Sequence, residues 1–156
     1  LIEIAKATLK DIKDMQMIVA NEVKEGVILP RADDEVATNI RSYHLAKLNK
    51  KLVGYCALHI HSLRIAEIRS LIVDKDYRGK SIGKELVKSA LSEARELGVN
   101  EVLVLTYLPD FFKRLNFKEI PKESIPEHKI WADCIKCIHF PTCNEVSLIY
   151  KISKES

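Results

Sequence analysis

Residues 65–97 set a strand, a polar turn and a long helix in immediate succession, and no other stretch constrains the chain as strongly. Ile65-Ala66-Glu67-Ile68-Arg69-Ser70-Leu71-Ile72-Val73 reads as a strand, Asp74 to Gly79 as a tight turn, and Ile82 to Leu97 as a helix. Between turn and helix lies Arg78-Gly79-Lys80-Ser81-Ile82-Gly83. A turn of small residues there leaves backbone N–H groups facing outward. The first N–H groups of a helix lack internal partners, and the helix dipole adds partial positive charge at the same place. A pyrophosphate fits such a cradle, with Arg78 and Lys80 as charged partners. The plainer alternative is a surface turn whose basic residues are simply solvated.

The rest of the composition narrows the setting. A chain of 156 residues suits one domain with a real core. A net charge of +3 without a long Lys/Arg run argues against nucleic acid, while an anionic cofactor needs only a local basic patch. No apolar run approaches a membrane span. Leu1-Ile2-Glu3-Ile4 lacks the basic start of a signal peptide, and an initial leucine points to a start that is missing or processed. The expectation is a cytoplasmic protein whose four cysteines are thiols or ligands rather than disulfides.

Along the chain, Ile2, Ile4 and Ala5 open a short strand. Thr8 suits an N-cap, with Asp11 as an imperfect capping box, and Leu9, Ile12, Met15, Ile18, Val19 and Val23 recur at helical spacing up to Glu25. Gly26 is a terminator. The apolar segment Gly26-Val27-Ile28-Leu29-Pro30-Arg31 leads to a second helix from Asp33 or Asp34, with Val36, Ile40 and Tyr43 on one face. Tyr43 to Leu48 alternates, Asn49-Lys50-Lys51 turns, and Leu52 to Ile60 forms a long strand in which Gly54 marks a bulge or a close approach. After the central helix, Glu101 to Thr106 reads as a buried strand, reached by a crossover and therefore paired in parallel. Pro109 opens a short helix from Asp110 to Leu115, Asn116 suits a left-handed stop, and Phe117-Lys118-Glu119-Ile120 starts another strand. Lys122 to Asn144 has no clean periodicity and reads as an ordered, cysteine-bearing excursion before a last strand, Glu145 to Ile152.

The phosphate turn, the element order and Phe111-Phe112-Lys113-Arg114-Leu115-Asn116-Phe117 together resemble the GNAT acetyltransferase superfamily over most of the chain. Its acetyl-CoA signature is Arg or Gln, two residues, Gly, one residue, then Gly or Ala. Arg78 and Gly83 match it, and Ser81 stands where the first glycine usually lies, at a cost if that position needs positive φ. Gly26-Val27-Ile28-Leu29-Pro30-Arg31, Cys56-Ala57-Leu58 and Ala66-Glu67-Ile68 resemble the acetyltransferase domain of N-acetylglutamate synthases. The resemblance implies a single-domain α/β (α+β) GNAT fold over residues 1–156. Its sheet is mixed, mostly antiparallel and splayed, with six to seven strands flanked by about four helices. It implies acetyl-CoA as cosubstrate and a small amine acceptor, an amino acid such as glutamate, with a homodimer as a further expectation. Protein or polyamine acetylation, and a non-catalytic acyl-CoA-binding or metal-sensing module, are the alternatives.

By the same resemblance, the backbone of Leu71, Ile72 and Val73 pairs with pantetheine, and Arg78, Gly79, Lys80, Ser81, Ile82 and Gly83 hold the diphosphate. Leu29 and Arg31 fall in the acceptor segment, and a planar guanidinium clamps a carboxylate through two bonds. Glu67, in an apolar-flanked strand leading into the cofactor site, is the candidate base, against a solvated strand carboxylate as the plain alternative. His59 and His61 share a face by alternation, and either positions substrate or relays a proton, or both are surface residues. Three features depart from the family. Phe112 stands where many members have the tyrosine that protonates the leaving thiolate, so Thr106 and Tyr107 become the replacement acids. Asn144, Glu145 and Val146 stand near the place of an Arg-Asn-Ser stretch. Finally Cys134, Cys137 and Cys143, with His139 and His128 near, make a weak zinc or iron–sulfur pattern, against ordinary thiols. Cys56 is not expected to be a nucleophile, because direct transfer to an amine needs no acyl-enzyme.

Overall fold

Alternating apolar residues build one sheet, and a computed structural model describes it over residues 1–26, 28–125 and 145–152. Its strands are β1 (Ile2–Lys6), β2 (Tyr43–Leu48), β3 (Lys51–Ile60), β4 (Ile65–Val73), β5 (Glu101–Thr106), β6 (Lys118–Ile120) and β7 (Val146–Lys151). They lie in the order β1-β2-β3-β4-β5-β7-β6. The described helices are α1 (Ile12–Ile18), α2 (Ala20–Lys24), α3 (Asp33–Thr38), α4 (Ile82–Leu97) and α5 (Pro109–Lys113). None is long and apolar enough to cross a membrane. The seven-stranded mixed sheet is the expected fold class, with five described helices rather than about four. Cys134, Cys137, Cys143, His139 and His128 lie outside the described residues, with most of the 122–144 excursion.

The extra helix comes from a break in the first helical run. The periodicity from Leu9 to Val23 predicts one helix, but the chain makes a 3-10 turn at Leu9–Asp11, then α1, then a kink at Val19 (φ −102°, ψ 0°) before α2. Ile18 and Val19 are consecutive β-branched residues, which fit a helix interior poorly. The Thr8–Asp11 pairing is present: the Thr8 amide donates to Asp11 Oδ2 at 2.8 Å. Tyr43 belongs to β2 and not to a helix face, and β2 is buried on both sides from Tyr43 to Ala46 instead of alternating. Asn49 and Lys50 both take positive φ (50° and 68°), the two-residue hairpin turn that suits the twist of its strands.

Two layers cover the sheet. On one face α4 buries Ile82, Leu86, Val87, Ala90, Leu91 and Ala94 against β3, β4 and β5. Gly98 stops that helix at φ 91°. On the other face α1 and α3 place Met15, Val19 and Val36 against Tyr43, Leu45, Tyr55 and Ala57. At the outer edge, His44 is buried between Ser89 Oγ (2.6 Å) and Glu93 Oε1 (2.7 Å), and Lys6 donates to both Glu93 oxygens at 3.1 Å. This network ties α4 to β1 and β2, and burial pushes the His44 imidazole below its ordinary pKa.

Two irregularities shape the middle of the sheet. Val53 is an extra residue on β3 between the pairs Ala46↔Gly54 and Lys47↔Leu52. Ser70 and Leu71 together oppose Cys56 between Tyr55↔Ile72 and Ala57↔Arg69, and Ser70 takes φ 57°. The only parallel pairing among the described residues joins β4 to β5, from Ile65↔Glu101 to Ile68↔Val104. Beyond it β4 continues beside β3 to Val73 while β5 continues beside β7 to Thr106, so the sheet opens into a V.

Gly54 is both next to a bulge and closely approached. A Cβ there would lie 2.8 Å from the Ile72 carbonyl oxygen, with Ile82 and Leu86 side-chain carbons at 3.2 Å. The backbone oxygen has no room to retreat, so Gly54→Ala is expected to cost about 2 kcal/mol, the scale of core overpacking. Urea unfolding measures this, and an unchanged midpoint would refute the packing argument.

Candidate functional site

The turn after β4 builds the anion cradle from the backbone outward. Asp74 Oδ1 accepts the Asp76 amide at 3.0 Å and starts a 3-10 turn over Lys75–Tyr77. Gly79 then takes φ 82° and Ser81 φ 65°, which rotates successive amides toward the start of α4. Neither a side-chain cap nor a Cβ fills that space: Ser81 makes no capping hydrogen bond, and nothing lies within 4 Å of a Cβ placed on Gly79. Arg78, Gly79, Lys80 and Ser81 are exposed, Gly83 is half-buried, and Ile82 is buried as the anchor of the helix in the core. Arg78 reaches back to the Val73 carbonyl (3.4 Å) and stands 3.8 Å from Glu22 Oε1. The donors, the glycine and the dipole therefore fit a diphosphate.

Leu71 closes the bulge and Ile72 and Val73 follow it, on the part of β4 that β5 has left. Among the described residues Ile72 and Val73 pair with β3 alone. One edge of β4 is thus open to amides of a linear ligand leading from the cradle into the V.

Beside that edge, α1, α2 and the 28–31 segment cover an open pocket of about 480 Å³, counting its mouth. Leu29 and Arg31 line it, together with Gln16, Tyr43, Tyr55 and Ser70. Arg31 Nη1 donates to Tyr43 Oη at 3.1 Å and to Ser70 Oγ at 3.0 Å. Gln16 Nε2 donates to the Arg31 carbonyl at 2.8 Å and to Asp33 Oδ1 at 3.1 Å. Among the described residues the Arg31 guanidinium has no carboxylate partner. Tyr43 and Tyr55 meet edge to face at 5.6 Å, and burial raises the Tyr55 phenol above its ordinary pKa. Sequence reading did not name Gln16, Tyr55 or Ser70 at this site, and it set Tyr43 both on a helix face and at the start of β2. Ser70 turns inward only because of the bulge.

His59, His61 and Glu67 come together on the same side of the sheet, deeper toward β5. His59 stands opposite Glu67 in the register, and the His61 Nε2 atom lies 2.8 Å from Glu67 Oε1. Glu67 is 3% exposed, so the reading of a solvated carboxylate does not hold. His59 is half-buried and does not line the Arg31 pocket. Burial first, then the Arg69 charge, lowers its pKa to about 4 despite Glu67, so it is neutral at pH 7. At the end of β5, Thr106 Oγ1 accepts the Leu108 amide at 2.9 Å, leaving its own hydrogen to donate, and Tyr107 is 55% exposed. Phe112 is buried edge to face with Phe111 and Phe117 and carries no proton. Cys56 is buried on the α4 side, its thiol pushed up to about 12, which rules out a thiolate nucleophile at neutral pH.

Comparison with known proteins agrees with this geometry. The family model described as Acetyltransferase (GNAT) family matches residues 11–117. An uncharacterized N-acetyltransferase of Chlorobaculum tepidum is 38% identical over 146 residues, covering 94% of each chain. The amino-acid acetyltransferase of an Enterobacter species is 24% identical over 129 residues, which cover 81% of this chain and 29% of that protein. Among solved structures, N-acetylglutamate synthase from Neisseria gonorrhoeae, complexed with coenzyme A and N-acetyl-glutamate, aligns with a TM-score of 0.87. That match is 18% identical and covers 99% of this chain and 36% of the synthase, a likeness of fold. The chain thus spans about a third of the length of these last two relatives.

The His59 environment has a consequence for stability. Between pH 6.5, its ordinary value, and about 4, the unfolded chain takes up a proton that folded His59 does not. Stability therefore falls as acid is added across that window and is fully retained above it. Denaturant unfolding at pH 5 and pH 7.5 should show a smaller difference for His59→Gln than for the wild type. An equal difference would mean that His59 ionises freely in the folded protein.

Proposed function

The chain belongs to the acetyltransferase (GNAT) family, as an N-acetyltransferase with acetyl-CoA as its cosubstrate, and we propose that its acceptor is the α-amine of a free amino acid. One observation carries the acceptor reading: the Arg31 guanidinium is fixed in a pocket beside the open edge of β4 by two hydroxyls, with no carboxylate of the described protein to neutralise it. A half-buried cation held that way suits a ligand carboxylate. The names of the amino-acid acetyltransferase and N-acetylglutamate synthase relatives support the same class, and the second suggests glutamate as the first acceptor to try.

Bound acetyl-CoA supplies the acetyl group as a thioester, which an unprotonated amine attacks so that the C–N bond forms as the C–S bond breaks. In this reading Arg78, Gly79, Lys80, Ser81, Ile82 and Gly83 hold the diphosphate, and the Leu71–Val73 backbone holds the pantetheine. Arg31 and Leu29 orient the acceptor. Glu67 takes the ammonium proton through water, and the His61 contact fixes its carboxylate. Neutral His59 stands opposite Glu67 and lines the path by which that proton leaves. Thr106 or Tyr107 returns a proton to the leaving thiolate, since Phe112 has none to give.

Thiol release from acetyl-CoA across free amino acids, polyamines and peptides tests the reading. Release with amino acids is expected, and Glu67→Gln should lower kcat about a hundredfold, the scale of a lost general base. Release with polyamines or peptides alone would overturn it. A second measurement addresses the cradle. A serine in the left-handed region is strained by about 1 kcal/mol, so Ser81→Gly should raise the melting temperature and leave coenzyme A binding as tight or tighter. Weaker binding by calorimetry would show that the serine side chain, and not the backbone, makes the site.

A further inference from the structure

Among the described residues, the pocket around Arg31 carries one charge and is otherwise hydrocarbon, hydroxyl and the Gln16 amide. Of its twelve described lining residues only Arg31 carries an ionic group, and Met15, Val19, Val23, Ile28, Val36 and Ile72 form its apolar walls. The polar groups of the described lining are neutral, and most of them gather around Arg31. Both hydrogens of the Gln16 amide go to Arg31 O and Asp33 Oδ1. The Tyr43 and Ser70 oxygens both accept from Arg31 Nη1 and so crowd around the same cation. Among the described residues the lining therefore offers one cation, the guanidinium, and the Tyr43 and Ser70 hydroxyls beside it have hydrogens to give to the same carboxylate. A second carboxylate placed against the Val, Ile and Met walls would lose water without meeting a described cation, which is unfavourable, whereas an alkyl or aryl side chain would lose only its contact with water.

Building on the amino-acid reading above, we infer that the acceptor is a monocarboxylic α-amino acid with an apolar side chain, of the leucine, methionine or phenylalanine class, rather than a dicarboxylic one. Arg31 pairs with the α-carboxylate. Tyr43 and Ser70 act as positioning residues: they fix one nitrogen of the guanidinium and leave the remaining N–H groups for the ligand. Tyr43 is 2% exposed and Ser70 sits at the bulge of the donor-binding strand, so the clamp is held by rigid elements on both sides.

Steady-state thiol release by the wild-type protein with leucine, methionine, phenylalanine, glutamate and leucinamide, with spermidine and a short peptide as controls, tests this. The apolar acids should exceed glutamate in kcat/KM by about tenfold or more, the discrimination expected when a site leaves a polar group unpaired. Leucinamide, which lacks the carboxylate, should show a KM at least about tenfold above that of leucine. Arg31→Ala should abolish the difference between leucine and leucinamide. Tyr43→Phe should raise the leucine KM about threefold and the leucinamide KM less; a purely structural role would move both alike. Glutamate equal to or better than leucine overturns this inference and leaves the amino-acid reading standing. Turnover with spermidine or the peptide but with no amino acid overturns the amino-acid reading and this inference with it. Leucinamide equal to leucine in the wild type overturns the carboxylate clamp even if the Arg31 variant does not fold.

Discussion

The parting of β4 from β5 is the constraint on which the rest of the site depends. The two strands pair in parallel over four residues, Ile65 to Ile68 against Glu101 to Val104, and then separate. Beyond that point β4 does not fray. Leu71 and Val73 are packed into the α4 core and Ile72 into the opposite one, so the strand stays anchored on both faces while one edge is open. An open edge normally invites unwanted pairing. Here it sits inside a cleft whose floor is closed by α5: Phe112 and Phe117 lie in the core, and Phe111 comes within 3.3 Å of where a Gly83 Cβ would be. The same glycine therefore serves the cradle and the contact between α4 and α5.

Charge is placed by local geometry rather than by the total. A net charge of +3 predicts little, but Arg78, Lys80 and Lys84 fall within one turn of the α4 N-terminus, where the dipole adds to them. Glu22 Oε2 is buried without a hydrogen-bond partner while its other oxygen faces Arg78 at 3.8 Å, beyond hydrogen-bond distance. Glu22 thus biases Arg78 only weakly, and the guanidinium remains available to an anion. On the other side of β4, Glu67 and Arg31 are kept apart in separate settings. Glu67 is buried beside His61, and Arg31 is at the pocket wall against two hydroxyls, so the two charges do not neutralise each other.

Local chemistry was legible in the sequence, and long-range pairing was not. The boundaries of β4 and α4, the Gly98 stop, the left-handed Asn116 (φ 73°) and the Asn49 turn all arise from residue types within a few positions of one another. The parallel β4–β5 pairing came from the crossover rule. Arg31 and Leu29 were singled out through a resemblance in one short segment, and both line the pocket. The Arg31–Ser70 bond spans 39 positions and the His44–Ser89 contact 45, and both depend on registers that no local pattern encodes. The bulge at Ser70 was invisible for the same reason. It is defined by two residues facing one on β3, and its left-handed residue is a serine instead of the glycine that would have signalled it.

Two serines in the left-handed region bear this out when set side by side. Ser70 and Ser81 have nearly the same φ, 57° and 65°, and each carries the steric cost of a Cβ there. At Ser81 the hydroxyl makes no capping bond, so the cost brings no polar contact among the described residues. At Ser70 the hydroxyl accepts from Arg31, and a glycine would relieve the strain only by removing that acceptor. Strain that a side chain uses is a mark of function, and strain that no side chain uses is a tolerated departure. By that criterion the donor cradle is a backbone device that admits either residue. The bulge on β4 uses its serine, because there the open-edged strand reaches across to Arg31.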